Sequence, residues 1–123
     1  MVNTIAKKGQ EMLDKILEIN GANYLGEIAL VPHSSPISQS GLLFYDSLFD
    51  ENASCLIALG MVYKTSLENG NKISDEDFLA AGGNISLTHI DYMIGSDKMN
   101  VDGITEDNTA EVIMRNGEWA FEL

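Results

Sequence analysis

Leu87-Thr88-His89-Ile90-Asp91-Tyr92-Met93-Ile94 is the stretch on which the reading of this chain turns. Apolar residues fall on both faces and turn formers stand on either side, so it reads as a strand. Side chains of a strand alternate faces with period two, which points His89 and Asp91 the same way, beside Leu87 and Met93. An imidazole and a carboxylate on an apolar face cost free energy unless something holds them. A divalent metal is one solution, because imidazole nitrogen and carboxylate oxygen together suit a hard-to-borderline cation. A His–Asp hydrogen bond without an ion is the other. The H-x-D spacing alone leaves both open.

Upstream, Tyr24-Leu25-Gly26-Glu27-Ile28-Ala29-Leu30-Val31 reads as a second strand, ended by Pro32. Glu27 shares a face with Leu25, Ala29 and Val31, and the opposite face is apolar too. An ionised carboxylate in such a run needs a cation, a hydrogen-bond network or a metal. Before this strand, Asn3 or Thr4 caps a helix running to about Ile19 and stopped by Asn20-Gly21. Ile5, Met12, Ile16 and Ile19, with Leu13 and Leu17, form a stripe at helical spacing opposite Glu11, Asp14, Lys15 and Glu18, and this stripe is expected to be core.

Between the two strands, His33 to Gly41 is loop by composition. Ser34 and Ser35 beside His33 suggest a nucleophile, but there is no glycine elbow and no separate orienting acid, so that reading is set aside. Asp50-Glu51-Asn52 places acid at a helix start. The helix it announces runs from Ala53 to Tyr63, with Cys55, Leu56, Leu59 and Val62 packed and with Leu56 and Tyr63, seven apart, on one face. Ser74-Asp75-Glu76-Asp77 opens a short helix through Ala81, with Gly82-Gly83 as its stop.

Beyond the H-x-D strand, Lys98 to Thr109 fails as a calcium loop, since its first and twelfth positions lack acids. Asp102-Gly103 and Asp107-Asn108 read as turns, and Asn116-Gly117 joins Glu111–Arg115 to Glu118–Phe121 in a hairpin that buries Val112, Met114, Trp119 and Phe121. Helices and strands mix without a βαβ rhythm, so the fold class is α+β. The N-terminal helix and the short helices pack on a mixed sheet with a C-terminal β-hairpin, and residues 1–123 form a single domain.

A net charge of −12, with 7 Lys and Arg against 19 Asp and Glu, argues against nucleic acid and anionic membrane surfaces. It suits cations or a cationic amine. Cys55 is the one cysteine, which leaves no disulfide and no cysteine cage for zinc. No signal-peptide core and no membrane-span run is present, so a cytoplasmic setting is expected.

With these pieces in view, their order is specific. Tyr24 to Pro32, Ser35-Pro36-Ile37-Ser38, Leu43-Phe44-Tyr45 and Leu48 to Cys55 resemble the thermophilic-type metallo-aminopeptidases, the family of aminopeptidase T, aminopeptidase S and PepS. Ser86 to Asp91, Met93 to Ser96, Asp102-Gly103-Ile104 and Arg115 to Trp119 continue the match, which covers nearly the whole chain and corresponds to the family's C-terminal part.

The resemblance implies an enzyme that binds two divalent metals, zinc or cobalt, forms homodimers and releases N-terminal residues from peptides. It makes Glu27, His89 and Asp91 metal ligands and Tyr63 the active-site tyrosine, whose hydroxyl helps to stabilise the oxyanion. It also implies a ligand histidine where this chain has Leu56, and a ligand glutamate in an N-terminal region that is absent here. With those two departures, weak or no metal binding and negligible peptidase turnover are expected of this chain by itself. The competing reading is a non-catalytic folded or dimerising module.

Overall fold

The computed structural model describes residues 1–122 and is an α+β arrangement of short elements. In chain order these are α1 (Gln10–Leu17), β1 (Leu25–Ala29), α2 (Pro36–Ser40), α3 (Ser47–Asp50), β2 (Leu56–Gly60), α4 (Asp75–Ala80), β3 (His89–Met93), β4 (Val101–Ile104), β5 (Ala110–Arg115) and β6 (Glu118–Trp119). They fall into two compact units, Met1–Ile28 with Ile57–Tyr92, and Ala29–Leu56 with Met93–Leu123. Among the described residues, no helix is long and apolar enough to cross a membrane.

The first unit holds most of a three-stranded sheet in the order β1-β2-β3. The middle strand corrects the helix expected from Ala53 to Tyr63. Cys55 to Gly60 is an unbroken apolar run, and such a run suits a strand covered on both faces as well as a buried helix segment. Its place decides the matter: Leu56, Ala58 and Leu59 are at most 2% exposed in the central strand. The acid at Asp50-Glu51-Asn52 belongs to the end of α3 and a following 3-10 turn. Gly60 ends β2 at φ 110°, where a Cβ would overlap the Thr88 carbonyl, so no other residue fits there. The face that Leu56 and Tyr63 would share on a helix does not exist.

Helix α1 begins at Gly9, in the left-handed region at φ 78°, and not at Asn3 or Thr4. A helix started at Thr4 would set Lys7 and Lys8 against the positive end of its dipole, whereas the observed one places Glu11 in the first turn and Lys15 in the last. Ile5 therefore lies outside the helix. The expected core stripe is not buried: no α1 residue is, and Met12 is 70% exposed. Helix α4 follows its sequence signal closely. Ser74 Oγ accepts from Asp77 N at 3.0 Å, Phe78 is buried, and the chain turns at Gly82.

In the second unit β4, β5 and β6 form an antiparallel sheet. Asn116 and Gly117, both at positive φ, make the expected turn, and Met114 pairs with Trp119. Met114 is fully buried, but Val112 and Phe121 are about half exposed, a correction to the expected buried set. Asp102-Gly103 is part of β4 and not a turn, because Asp102 and Gly103 pair with Val112 and Glu111. Asp107-Asn108 does turn, with Asn108 at φ 63°. The loop expected from His33 to Gly41 contains α2, whose signal is Ser35 as cap before Pro36 at the first helical position.

Candidate metal centre

Strand β3 turns His89 and Asp91 to one side, and Glu27 of β1 reaches the same imidazole. His89 Nε2 lies 3.3 Å from Glu27 Oε2 and 3.3 Å from Asp91 Oδ1. Strands β1 and β3 are not neighbours, and two strand spacings amount to roughly 9–10 Å, so the meeting across β2 depends on the length of both side chains. Gly26 lets β1 approach: a Cβ there would stand 2.7 Å from the Met61 carbonyl oxygen and 2.9 Å from that of Gly60.

The other ring nitrogen fixes the chemistry. Nδ1 of His89 is 2.8 Å from the carbonyl oxygen of Met61, and a carbonyl only accepts, so Nδ1 carries the proton and donates it. A neutral His89 then presents the bare lone pair of Nε2 to two carboxylate oxygens, which repels. Positive charge is needed between them. A proton supplies it by making the imidazolium, and a divalent cation supplies it by taking the three groups as donors.

The residue types suit a cation. Imidazole nitrogen and carboxylate oxygen are zinc donors, and the backbone carbonyl on the second ring nitrogen is the usual support of a ligating histidine. Donors about 2.0–2.2 Å from one tetrahedral zinc stand roughly 3.3–3.6 Å from each other, which is the range of both contacts to Nε2. These contacts are pairwise. Among the described residues, no three His, Cys, Asp and Glu side chains form a complete metal-holding group.

Tyr63 stands beside the histidine, with ring centroids 5.5 Å apart and the planes at 50°. It is half exposed and precedes a 3-10 turn at Lys64–Ser66. The segment leading to it is held by backbone bonds from Met61 N to Thr88 O at 2.7 Å and from Val62 N to Asn84 O at 2.9 Å. The side chain of Asn84 donates to the Gly21 and Gly60 carbonyls, which ties the turn before β1 to the end of β2. Leu56, at the position where the resemblance implies a ligand histidine, is buried at the start of β2. The Met61 carbonyl was missed in the sequence because a backbone group has no residue type to announce it.

Comparison with known proteins shows the family of the chain. The family described as thermophilic metalloprotease (M29) matches residues 1–119. Aminopeptidase 2 of Geobacillus stearothermophilus is 52% identical over 124 residues, covering 100% of this chain and 30% of its own length. Aminopeptidase AmpS of Bacillus subtilis (strain 168) is 52% identical over 122 residues, covering 98% of this chain and 30% of its own length. The solved structure of wild-type AmpT from Thermus thermophilus superposes with a TM-score of 0.85 at 49% identity, over 98% of this chain and 29% of that one. The chain thus spans about 30% of the length of the curated relatives it matches. It belongs to the thermophilic metalloprotease (M29) family, a family of metallo-aminopeptidases, as a partial segment of it.

Proposed function

We propose that this chain carries the metal-binding part of an aminopeptidase that releases N-terminal residues from peptides, with Glu27, His89 and Asp91 as metal ligands and Tyr63 as the active-site tyrosine. The observation that supports it most is the locked imidazole, with Nδ1–H donated to the Met61 carbonyl and Nε2 facing two carboxylate oxygens at 3.3 Å. A bound zinc or cobalt ion supplies Lewis-acid polarisation of a carbonyl and acidifies water. The chain's own residues do the rest. The Met61 carbonyl keeps His89 in one tautomer, Glu27 and Asp91 balance the cation's charge, and the Tyr63 hydroxyl offers a hydrogen bond to the developing oxyanion. The net charge of −12 favours approach of a peptide's free ammonium.

Leu56 supports a second reading, in which the chain is a non-catalytic folded or dimerising module. Two-metal hydrolysis places the ions roughly 3.5–4 Å apart. A buried leucine at an implied ligand position removes a donor and puts an apolar wall in its place. Weak or no metal binding and negligible turnover are the expected state of the chain by itself.

Calorimetric titration with zinc and cobalt, paired with a leucyl-anilide assay on this chain and on Leu56→His, tests both readings. Weak or no binding and no turnover are expected of the unmodified chain, with binding tightened by Leu56→His. Tight binding of two ions with turnover by the unmodified chain would overturn the module reading, and no binding by either chain would overturn the metal reading.

A cytoplasmic setting is supported by the free, buried thiol of Cys55. Self-association as a homodimer is supported by exposed Leu42, Leu43, Leu48 and Phe49, and sedimentation as a monomer at high concentration would remove it. Folding of the 123 residues as one domain would give a single cooperative melt with intact near-ultraviolet dichroism.

A further inference from the structure

Asn20-Gly21, Asn69-Gly70 and Asn116-Gly117 all place a glycine directly after an asparagine. Glycine leaves its own amide nitrogen unshielded, because no Cβ stands over it. Once its proton is removed, that nitrogen can attack the side-chain carbonyl of the asparagine before it. All three asparagines are exposed, so access to water does not tell them apart. The glycine amides do. Gly70 N donates to the Leu67 carbonyl at 3.0 Å, and Gly117 N donates to the Met99 carbonyl at 2.8 Å. Among the described residues, Gly21 N donates to no acceptor.

A second contact sets the Asn20-Gly21 peptide apart. The buried hydroxyl of Ser86 donates to the Asn20 carbonyl at 2.9 Å. It receives the Thr88 backbone N–H at 3.2 Å, which holds it in place. The Asn20 carbonyl and Gly21 N belong to one peptide group. A hydrogen bond at its oxygen draws electron density from its nitrogen, and the N–H becomes easier to remove. The nucleophile is therefore free at Asn20-Gly21 and activated there, while at the other two pairs it is engaged.

We propose that Asn20-Gly21 is the spontaneous deamidation site of this chain, and that its conversion to isoaspartate unties β1 from the end of β2. Gly21 N bonds to the side-chain carbonyl carbon of Asn20, the bond from that carbon to Nδ2 breaks, and Nδ2 leaves as ammonia with the Gly21 amide proton. Water then opens the cyclic imide at either carbonyl. Opening at the side-chain carbonyl gives aspartate. Opening at the main-chain carbonyl gives isoaspartate, which routes the backbone through the former side chain and lengthens it by a carbon. The turn has no slack for that carbon, since even a Cβ on Gly21 would stand 2.3 Å from the Ile85 carbonyl oxygen. The Gly21 carbonyl then moves off Asn84 Nδ2, which donates to it at 2.7 Å and to the Gly60 carbonyl at 2.6 Å. Glu27 lies on the strand so released.

Ageing the 123-residue chain at mildly alkaline pH in heavy-oxygen water, followed by peptide mass spectrometry, tests this. Trypsin cuts after Lys15, Lys64 and Arg115, which puts the three Asn-Gly pairs on separate peptides. Asn20 is expected to take up label about 5-fold faster than Asn69 or Asn116, the rate equivalent of one amide hydrogen bond. In urea the three rates are expected to converge, because the difference resides in the fold. Ser86→Ala is expected to slow labelling at Asn20 alone, whereas mere loosening of the fold would speed it. The aged chain is expected to melt lower than the fresh one. Asn20→Gln, whose larger ring closes more slowly, is expected to melt the same before and after ageing. Earlier labelling at Asn69 or Asn116, or a rate ratio that persists in urea, overturns the site. Unchanged or faster labelling in Ser86→Ala overturns the role of that hydroxyl. A chain rich in isoaspartate at residue 20 that melts like the fresh one overturns the untying of β1.

Discussion

Two clusters of charge on the two sheets resolve the same problem differently. In the second unit Arg115 pairs with Asp102, and its Nη1 also donates to the carbonyls of Val101 at 3.2 Å and Met114 at 2.8 Å. One permanent cation meets one carboxylate, and its Nη1 meets backbone. In the first unit two carboxylates meet one imidazole, whose own N–H is already given to Met61. The first arrangement is complete as it stands, while the second lacks positive charge unless a proton or an ion arrives. A charged cluster is thus a candidate site when its donors and acceptors fail to balance, not merely because charge is present.

The largest effect expected from this contrast is on metal binding. His89→Ala removes the nitrogen donor and is expected to weaken zinc binding by more than about 100-fold in calorimetry, since loss of even a supporting partner costs about 10–100-fold. Arg115→Ala is expected to leave zinc binding unchanged. Equal loss in both variants would show nonspecific attraction of cations to an acidic chain, and would erase the distinction between the clusters.

Leu56→His comes next in size. Leu56 is 2% exposed, and a buried imidazole without a partner costs about 1–3 kcal/mol by protein mutational data. The variant is therefore expected to melt lower than the unmodified chain in chelator. If the new imidazole joins the centre, saturating zinc restores the loss, because a ligand at 100 times its dissociation constant adds about 2.7 kcal/mol. Thermal melts with and without zinc check this, and a midpoint indifferent to zinc would place residue 56 outside the centre.

The legible parts of this chain were those signalled by local chemistry. Ser74 before three acids, Asn116-Gly117 between apolar stretches, and the alternation that brings His89 and Asp91 to one side all depend on near neighbours. Glu27 was marked by its cost in an apolar run, and the family resemblance assigned its role. What could not be read depends on distant partners. Leu56–Gly60 is a strand because β1 and β3 flank it, and its apolar run matches a buried helix equally well. Asp102-Gly103 looks like a turn until β5 pairs with it. The stripe of α1 is periodic, but periodicity describes a face and not its neighbour, and the stripe stays uncovered.

Arg115→Met tests the complete cluster directly. Both partners are more than a third exposed, at 40% and 43%, so solvent screens the pair and its removal is expected to cost at most about 1 kcal/mol in a denaturant melt. The effect should shrink in high salt. A loss of several kcal/mol, insensitive to salt, would mean that the backbone bonds from Nη1 matter more than the ion pair.

The smallest effect lies in the turn between β4 and β5, where a fourth acid is satisfied without any cation. The side-chain hydroxyl of Thr105 donates to Asp107, and Thr109 N donates to it as well, which together hold its carboxyl below the usual carboxylate range. A carboxylate depressed in the folded state contributes stability above its unfolded pKa and loses it as pH falls through the folded value. Asp107 is fully exposed, so the contribution is small and acid-side only. Thr105→Val removes the leading hydrogen bond, together with the Thr105 bonds to the Thr109 backbone. Carbon-detected titration of the Asp107 carboxyl is expected to show its midpoint rising toward the ordinary value, with the hairpin β5–β6 unchanged. A midpoint that stays low in the variant would shift the cause to Thr109, whose amide and side chain both lower that carboxyl.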